Sequence, residues 1–224
     1  IASRAYAGEY NTLRLALIGC GGRGSGAVVN AIRADVGPVE LYSMADIRED
    51  KLRGSAKALS RYQEQFNVTE DRQFVGFDAY RKAIDALRPG DIALLTAYSY
   101  CRPQHMEYAV SKGVHVFMEK PFAPDPGSLH RMLRAGEEAD KKGLKVGAGL
   151  MCRHSIARQK LIERIRAGEL GDILHVRAYR MWGGGGLGSG PGENELAWQL
   201  RHRVHFHWAG SGHMIEMLIH QIDE

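Results

Sequence analysis

A chain of 224 residues with 44% apolar and 25% charged side chains can bury one large core or two small ones, and its formal net charge of +4 is modest. Lys and Arg are spread along it without an aromatic-basic block, which argues against nucleic acid as a partner, and no apolar run is long enough to cross a membrane as a helix. Three scattered cysteines, Cys20, Cys101 and Cys152, suggest neither a disulfide framework nor a thiolate zinc site.

Residues 1–11 read as an N-terminal tail. Within it Ala5-Tyr6-Ala7 has the small-x-small pattern that a signal peptidase accepts, so the expected location is periplasmic, with the cytoplasm as the alternative. Leu13 to Ile18 is a buried-strand run, and GCGGRG follows at once. Gly19, Gly21 and Gly24 form G-x-G-x-x-G around Cys20, Gly22 and Arg23, and Ala27, Val28, Val29, Ala31 and Ile32 continue as a helix. The glycines give a tight turn, room for a pyrophosphate against the backbone, and close helix-strand packing. About 20 residues on, VELYSMADIRED ends a second strand at Asp46, where a carboxylate can accept hydrogen bonds from ribose hydroxyls and repel a 2′-phosphate. Asp46 therefore favours NAD over NADP, while Arg48 nearby could accommodate that phosphate.

Strand-helix alternation then continues. Residues 77–87 read as helix, 91–98 as strand, 103–113 as helix, 114–119 as strand, 125–142 as helix and 145–151 as strand. Short connections between such elements predict a doubly wound parallel sheet of Rossmann type over residues 12–150. The apolar run VHVFMEKPFA stops at Glu119, Lys120 and Pro121. A solvated strand end would explain those charges, but the ends of parallel strands are also where α/β folds place their chemistry.

Beyond residue 150 the texture changes. Residues 154–171 read as a helix, 172–182 alternate as a half-exposed strand, and GGGGLGSGPG (183–192) reads as a flexible loop or lid. The last stretch holds His202, His205, His207, His213 and His220, half of the chain's ten histidines. Residues 151–224 read as the start of a second domain, and since one strand cannot make a sheet, that domain is expected to be incomplete here. Trp182, Trp198 and Trp208 could offer flat faces to a sugar, or simply pack.

Taken together these residues resemble the Gfo/Idh/MocA oxidoreductases, named for glucose-fructose oxidoreductase and inositol dehydrogenase. The likeness is carried by GCGGRG after the first strand, Asp46 after the second, the loop from Thr96 to His105, Glu119-Lys120-Pro121, Arg153 after the sixth strand, and Glu216-x-x-x-His220-x-x-Asp223. It implies a cofactor site of Gly19, Gly21, Gly22, Arg23, Gly24, Asp46, Arg48, Thr96, His105 and Glu119, with Glu119 near the nicotinamide ribose. It implies a substrate site of Lys120, Arg153 and His220, with Lys120 orienting the substrate hydroxyl and relaying a proton. Burial should lower the pKa of that lysine. Glu216 and His220 stand four apart, so on a helix they share a face, and the carboxylate could orient the imidazole. The family usually has aspartate where this chain has Glu216. Where many members have prolines after the fourth strand, this chain has Ala97 and Tyr98, and Tyr98 or Tyr100 could pack on the cofactor instead.

The expected activity is NAD-dependent oxidation of a sugar, cyclitol or glycoside hydroxyl, with hydride transfer to a tightly bound nicotinamide. Export would demand such retention, because no pool of free NAD exists outside the cytoplasm. A redox-neutral glycosidase that oxidises, eliminates and re-reduces is one alternative. A metal-binding protein using His213, Glu216 and His220, or a non-catalytic NAD sensor, is another; no metal is expected for the leading reading. The resemblance also implies that residues 151–224 begin an α+β domain built on a mostly antiparallel sheet; the partner expected is a carbohydrate-like small molecule, with neither nucleic acid nor membrane, and a homo-oligomer formed through that sheet.

Overall fold

The computed structural model describes residues 12–181, 186–188, 190, 192 and 194–223. Six strands, β1 (Leu13–Ile18), β2 (Val39–Asp46), β3 (Gln73–Val75), β4 (Ile92–Leu95), β5 (His115–Glu119) and β6 (Val146–Gly149), form one sheet in the order β3-β2-β1-β4-β5-β6. Every pair is parallel. Between β1 and β4 the order reverses, which opens a crevice at the carboxyl ends of the strands.

Both faces of this sheet are covered, and the alternation of side chains sorts them. Leu15 and Leu17 of β1 join Leu41, Met44 and Leu94 in one core, against α1 (Gly22–Arg33) and α2 (Glu49–Leu59). Ala16 and Ile18 join Ala93 and Leu95 in the other, against α3 (Ala79–Asp85), α4 (Arg102–Ser111) and α5 (Pro126–Lys141). A strand buried on both sides needs a continuous apolar run, which is why LRLALI and IALL carry so few polar residues.

The chain beyond β6 departs from the expectation. Helix α6 (Ile156–Arg166) is shorter than the helix read over 154–171, with Gly168 and Gly171 at positive φ just after it. Residues 172–181 form no strand, and Leu174 and Met181 are 93% and 88% exposed. An alternating segment becomes a strand only when a neighbour takes its backbone hydrogen bonds, and none of the described residues does so. Residues 194–223 are helical: α7 (Glu195–Arg201), a 3-10 turn at Arg203–His205, α8 (His207–Gly210), a π-turn at Met214–Leu218 and α9 (Ile219–Ile222). The antiparallel sheet expected here is therefore not present among the described residues. Ala5-Tyr6-Ala7, Trp182 and much of the glycine stretch lie outside them. Within them, no helix is long and apolar enough to cross a membrane.

Candidate active site at the carboxyl ends of the strands

The turn after β1 is built by what a side chain would meet there. A Cβ on Gly19, whose φ is +100°, would lie 2.3 Å from the Ala97 nitrogen, and one on Gly24 would lie 2.0 Å from the Gly19 carbonyl oxygen. These two glycines let α1, β1 and the loop after β4 close on one another. Gly21 and Gly22 differ, since a Cβ there would meet nothing within 4 Å. Gly21 is also the N-cap of α1, with no side chain capping the helix. Open space beside an uncapped helix N-terminus fits a dinucleotide pyrophosphate. Arg23 turns away from the helix axis, and its Nε donates to Glu119 Oε1 at 2.7 Å.

Asp46 closes the same turn from β2. Its Oδ2 accepts from the Cys20 amide at 2.6 Å and its Oδ1 from the Arg48 amide at 2.8 Å, while burial raises its pKa. The carboxylate is thus fixed at the mouth of the turn, where ribose hydroxyls would meet it. The Arg48 guanidinium is already engaged with Asp50, at 2.9 and 2.6 Å. The Thr96 hydroxyl donates to the Gly19 carbonyl at 2.6 Å, so it braces the turn from β4.

These groups line a cleft of about 470 Å³ that runs from Gly19 and Gly21 past Asp46, Arg48, Tyr98 and Tyr100 to Leu196 and Leu200 of α7. His105 forms part of the wall, but it is 5% exposed and stacked on Tyr80 at 4.1 Å between ring centroids. Burial, then the charge of Arg102, pull its pKa down to about 3, so it stays neutral. Tyr100 packs on Trp208 at 5.7 Å, Trp208 donates to Gln199, and Trp198 packs on Phe206. Trp198 therefore packs within the C-terminal segment, while Trp208 packs across onto the loop after β4.

At the end of β5, Glu119 is 8% exposed and bonded to Arg23. It has room because β6 carries Gly149 beside it: a Cβ there would lie 2.6 Å from Glu119 Oε1. Lys120 follows. Its Nζ donates to the Glu216 backbone carbonyl and stands 3.9 Å from Glu216 Oε1. Burial pulls the Lys120 pKa below the usual lysine value, with Arg203 and Arg102 acting the same way against the opposing pull of Glu216 and Glu119. Beneath it Arg102, 2% exposed, donates to the carbonyls of Pro121 and Ala97 and so joins the ends of β4 and β5. Desolvation lowers its pKa to about 10.

The C-terminal helices complete the arrangement. Glu216, 6% exposed, accepts from Arg203 at 3.1 Å, not from the His220 ring, whose Nδ1 has no hydrogen-bond partner. The expected carboxylate-imidazole pair is not formed: the Glu216 carboxylate is bonded to the Arg203 guanidinium, and a charge-assisted bond of that kind is stronger than one to a neutral ring. Burial, then the charges of Lys120 and Arg180, hold the His220 pKa below the ordinary histidine value. Arg153 is bonded to Asp223 at 2.6 Å, on the same short helical segment as His220. Among the described residues no cluster of His, Cys, Asp and Glu is placed to hold a metal ion, so the His213, Glu216 and His220 grouping does not form one.

The profile described as "Oxidoreductase family, NAD-binding Rossmann fold", that of Gfo/Idh/MocA, matches residues 13–149. The chain belongs to the Gfo/Idh/MocA oxidoreductase family. Inositol 2-dehydrogenase 1 of Paenarthrobacter aurescens (strain TC1) is 24% identical over 165 residues, which is 73% of this chain and 44% of that protein. The crystal structure of an NAD-binding protein from Listeria innocua matches with a TM-score of 0.64 at 18% identity, over 96% of this chain and 52% of that one. That of myo-inositol 2-dehydrogenase from Lactobacillus plantarum matches at 0.58 and 19% identity, over 72% and 43%. This Gfo/Idh/MocA chain spans about half the length of the relatives it matches.

Two residues of the candidate site carry no signal in the sequence. Arg102 and Arg203 are single arginines among the chain's 30 Lys and Arg residues, and only the fold brings them to Lys120. Gly149 had a faint one, since a glycine inside a strand often marks a close approach.

Proposed function

We propose that this chain is the dinucleotide-binding part and first substrate-facing segment of an NAD-dependent oxidoreductase that acts on a hydroxyl of a sugar, cyclitol or glycoside. Residues 12–150 form the nucleotide domain, and residues 151–224 begin the substrate domain. The observation that carries this reading is Lys120, half-buried at the end of β5, held between Glu216 and the charges around His220 and one strand away from β4 at the crevice.

When bound, NAD supplies the hydride acceptor. Lys120 Nζ holds the substrate oxygen, and its lowered pKa brings it toward proton exchange near neutral pH. His220, kept neutral by burial and the neighbouring cations, takes the hydroxyl proton on its imidazole. The Arg23-Glu119 pair braces the Gly-rich turn against the end of β5. Asp46 selects NAD over NADP through the ribose hydroxyls, and the nucleotide is retained through purification.

The test is turnover. Purified protein with NAD and a panel of inositols, aldoses and glycosides should form reduced nicotinamide with at least one of them, and Lys120→Ala or His220→Ala should lower kcat by about 10²- to 10⁴-fold. A normal rate for Lys120→Ala with the nucleotide bound would sink the assignment.

A further inference from the structure

Two carboxylates act on Lys120 by charge, Glu216 from the π-turn and Glu119 from β5. Each is already bonded to an arginine: Arg203 Nη2 donates to Glu216 Oε1 at 3.1 Å and Arg23 Nε to Glu119 Oε1 at 2.7 Å. Lys120 Nζ stays 3.9 Å from Glu216 Oε1 and donates to a backbone carbonyl instead. The other charged or titratable groups around Lys120 are Arg102 below it and His220 on α9.

Arg203 is itself held. Its guanidinium lies 4.4 Å over the ring of Tyr98, in the loop after β4, and its backbone passes so close to Gly210 that a Cβ there would lie 2.6 Å from the Arg203 carbonyl oxygen. An arginine keeps its proton at any working pH, so it can satisfy a carboxylate without taking part in proton transfer. A lysine bonded to the same carboxylate would be held as the ammonium.

We propose that Arg203 is a positioning residue for Lys120: it occupies the Glu216 carboxylate, leaving the lysine bonded to a backbone carbonyl and free to exchange a proton with the substrate oxygen. The inference rests on the reading of Lys120 as the substrate-facing lysine. It predicts that without Arg203 the Glu216 carboxylate turns to Lys120.

The decisive measurement needs neither cofactor nor substrate. Lysines of the purified protein are ¹³C-methylated and titrated by NMR, with the Lys120 signal assigned by its loss in Lys120→Arg. In Arg203→Met the Lys120 midpoint should rise by about one pH unit. The Arg203→Met, Glu216→Gln double variant should bring it back to the wild-type value or below, and Arg203→Lys should show a smaller rise. In turnover, the limb of the kcat profile set by Lys120 should move to higher pH by the same amount. A folded Arg203→Met protein with an unmoved Lys120 midpoint overturns the proposal. If Arg203→Met does not fold, Arg203→Lys with and without Glu216→Gln decides it, since a rise that Glu216→Gln does not reverse also overturns it. Normal turnover by Lys120→Ala would instead remove the catalytic reading and leave the titration result standing.

Discussion

The two parts of this chain are held in different ways. Residues 12–150 are ordered by a sheet whose every strand has its partner and whose two faces each carry a core. Among the described residues of 151–223 there is no separate core. Their buried side chains, Leu200, Ala209 and Glu216, come from the helices at 194–223, and there Ser99 donates to the Ala209 carbonyl and Lys120 to that of Glu216. The second part thus rests on the first around the crevice, while α6 buries no residue and 172–181 stand exposed. Order in the second part is a property of the site more than of the segment.

Hydrogen exchange gives the largest test of that contrast. Amides of β1 and β4 should exchange only through global opening, so they carry the full stability of the fold, about 5–15 kcal/mol, while those of 172–181 should exchange almost unprotected. Equal protection in both would mean that the second part has a core not apparent from its burial.

A pair of substitutions sharpens the same comparison. Gly24→Ala drives a Cβ to 2.0 Å from a backbone oxygen and 2.7 Å from Thr96 Oγ1. It should cost about 3 kcal/mol in urea unfolding and loosen nucleotide binding. Trp208→Ala, on a ring 46% exposed, removes the bond to Gln199 and the Tyr100 contact. It should cost about 1 kcal/mol. The reverse order would contradict the picture of a rigid first part and a lightly held second one.

A further test concerns acid. His105 has its folded pKa pulled from 6.5 to about 3, so below pH 6.5 the unfolded chain binds a proton that the folded core refuses. Its contribution is complete above about pH 6.5 and declines as pH falls toward 3, at up to about 1.4 kcal/mol per unit. His105→Phe keeps a ring on Tyr80 and should flatten the stability difference between pH 7 and pH 5. A slope that survives would place the acid sensitivity elsewhere, with His115 and His220, whose pKa values are also lowered by burial, the next to change.

What the sequence makes legible follows the same division. A strand buried on both faces must be an apolar run, and a Gly-rich turn must follow it, so β1, α1 and Asp46 are readable from local pattern alone. Two charges ending an apolar strand mark Lys120 as unusual but fit a solvated strand end as well, and it is the family resemblance that makes it a candidate. Glu216 is a candidate through the same resemblance, but its pairing is not legible, since that depends on where Arg203 and Lys120 lie in space. Residues 172–182 alternate as a strand should, yet strand formation is settled by a neighbour, and a sequence window cannot supply one. Arg102 joins carbonyls of two separate loops, a role with no periodic trace.

A π-turn is an α-helix with one residue more than the helix needs, and this chain keeps that extra residue between Met214 and Leu218, next to its lysine. Losing it would draw the turn back to regular α geometry and rotate everything after it by about 100°. His220 and Asp223 would then leave the side of the helix they now occupy, while Glu216 would stay near Arg203. The segment tolerates a change of side chain more readily than a change of length, so a single-codon deletion here is a harsher event than most substitutions.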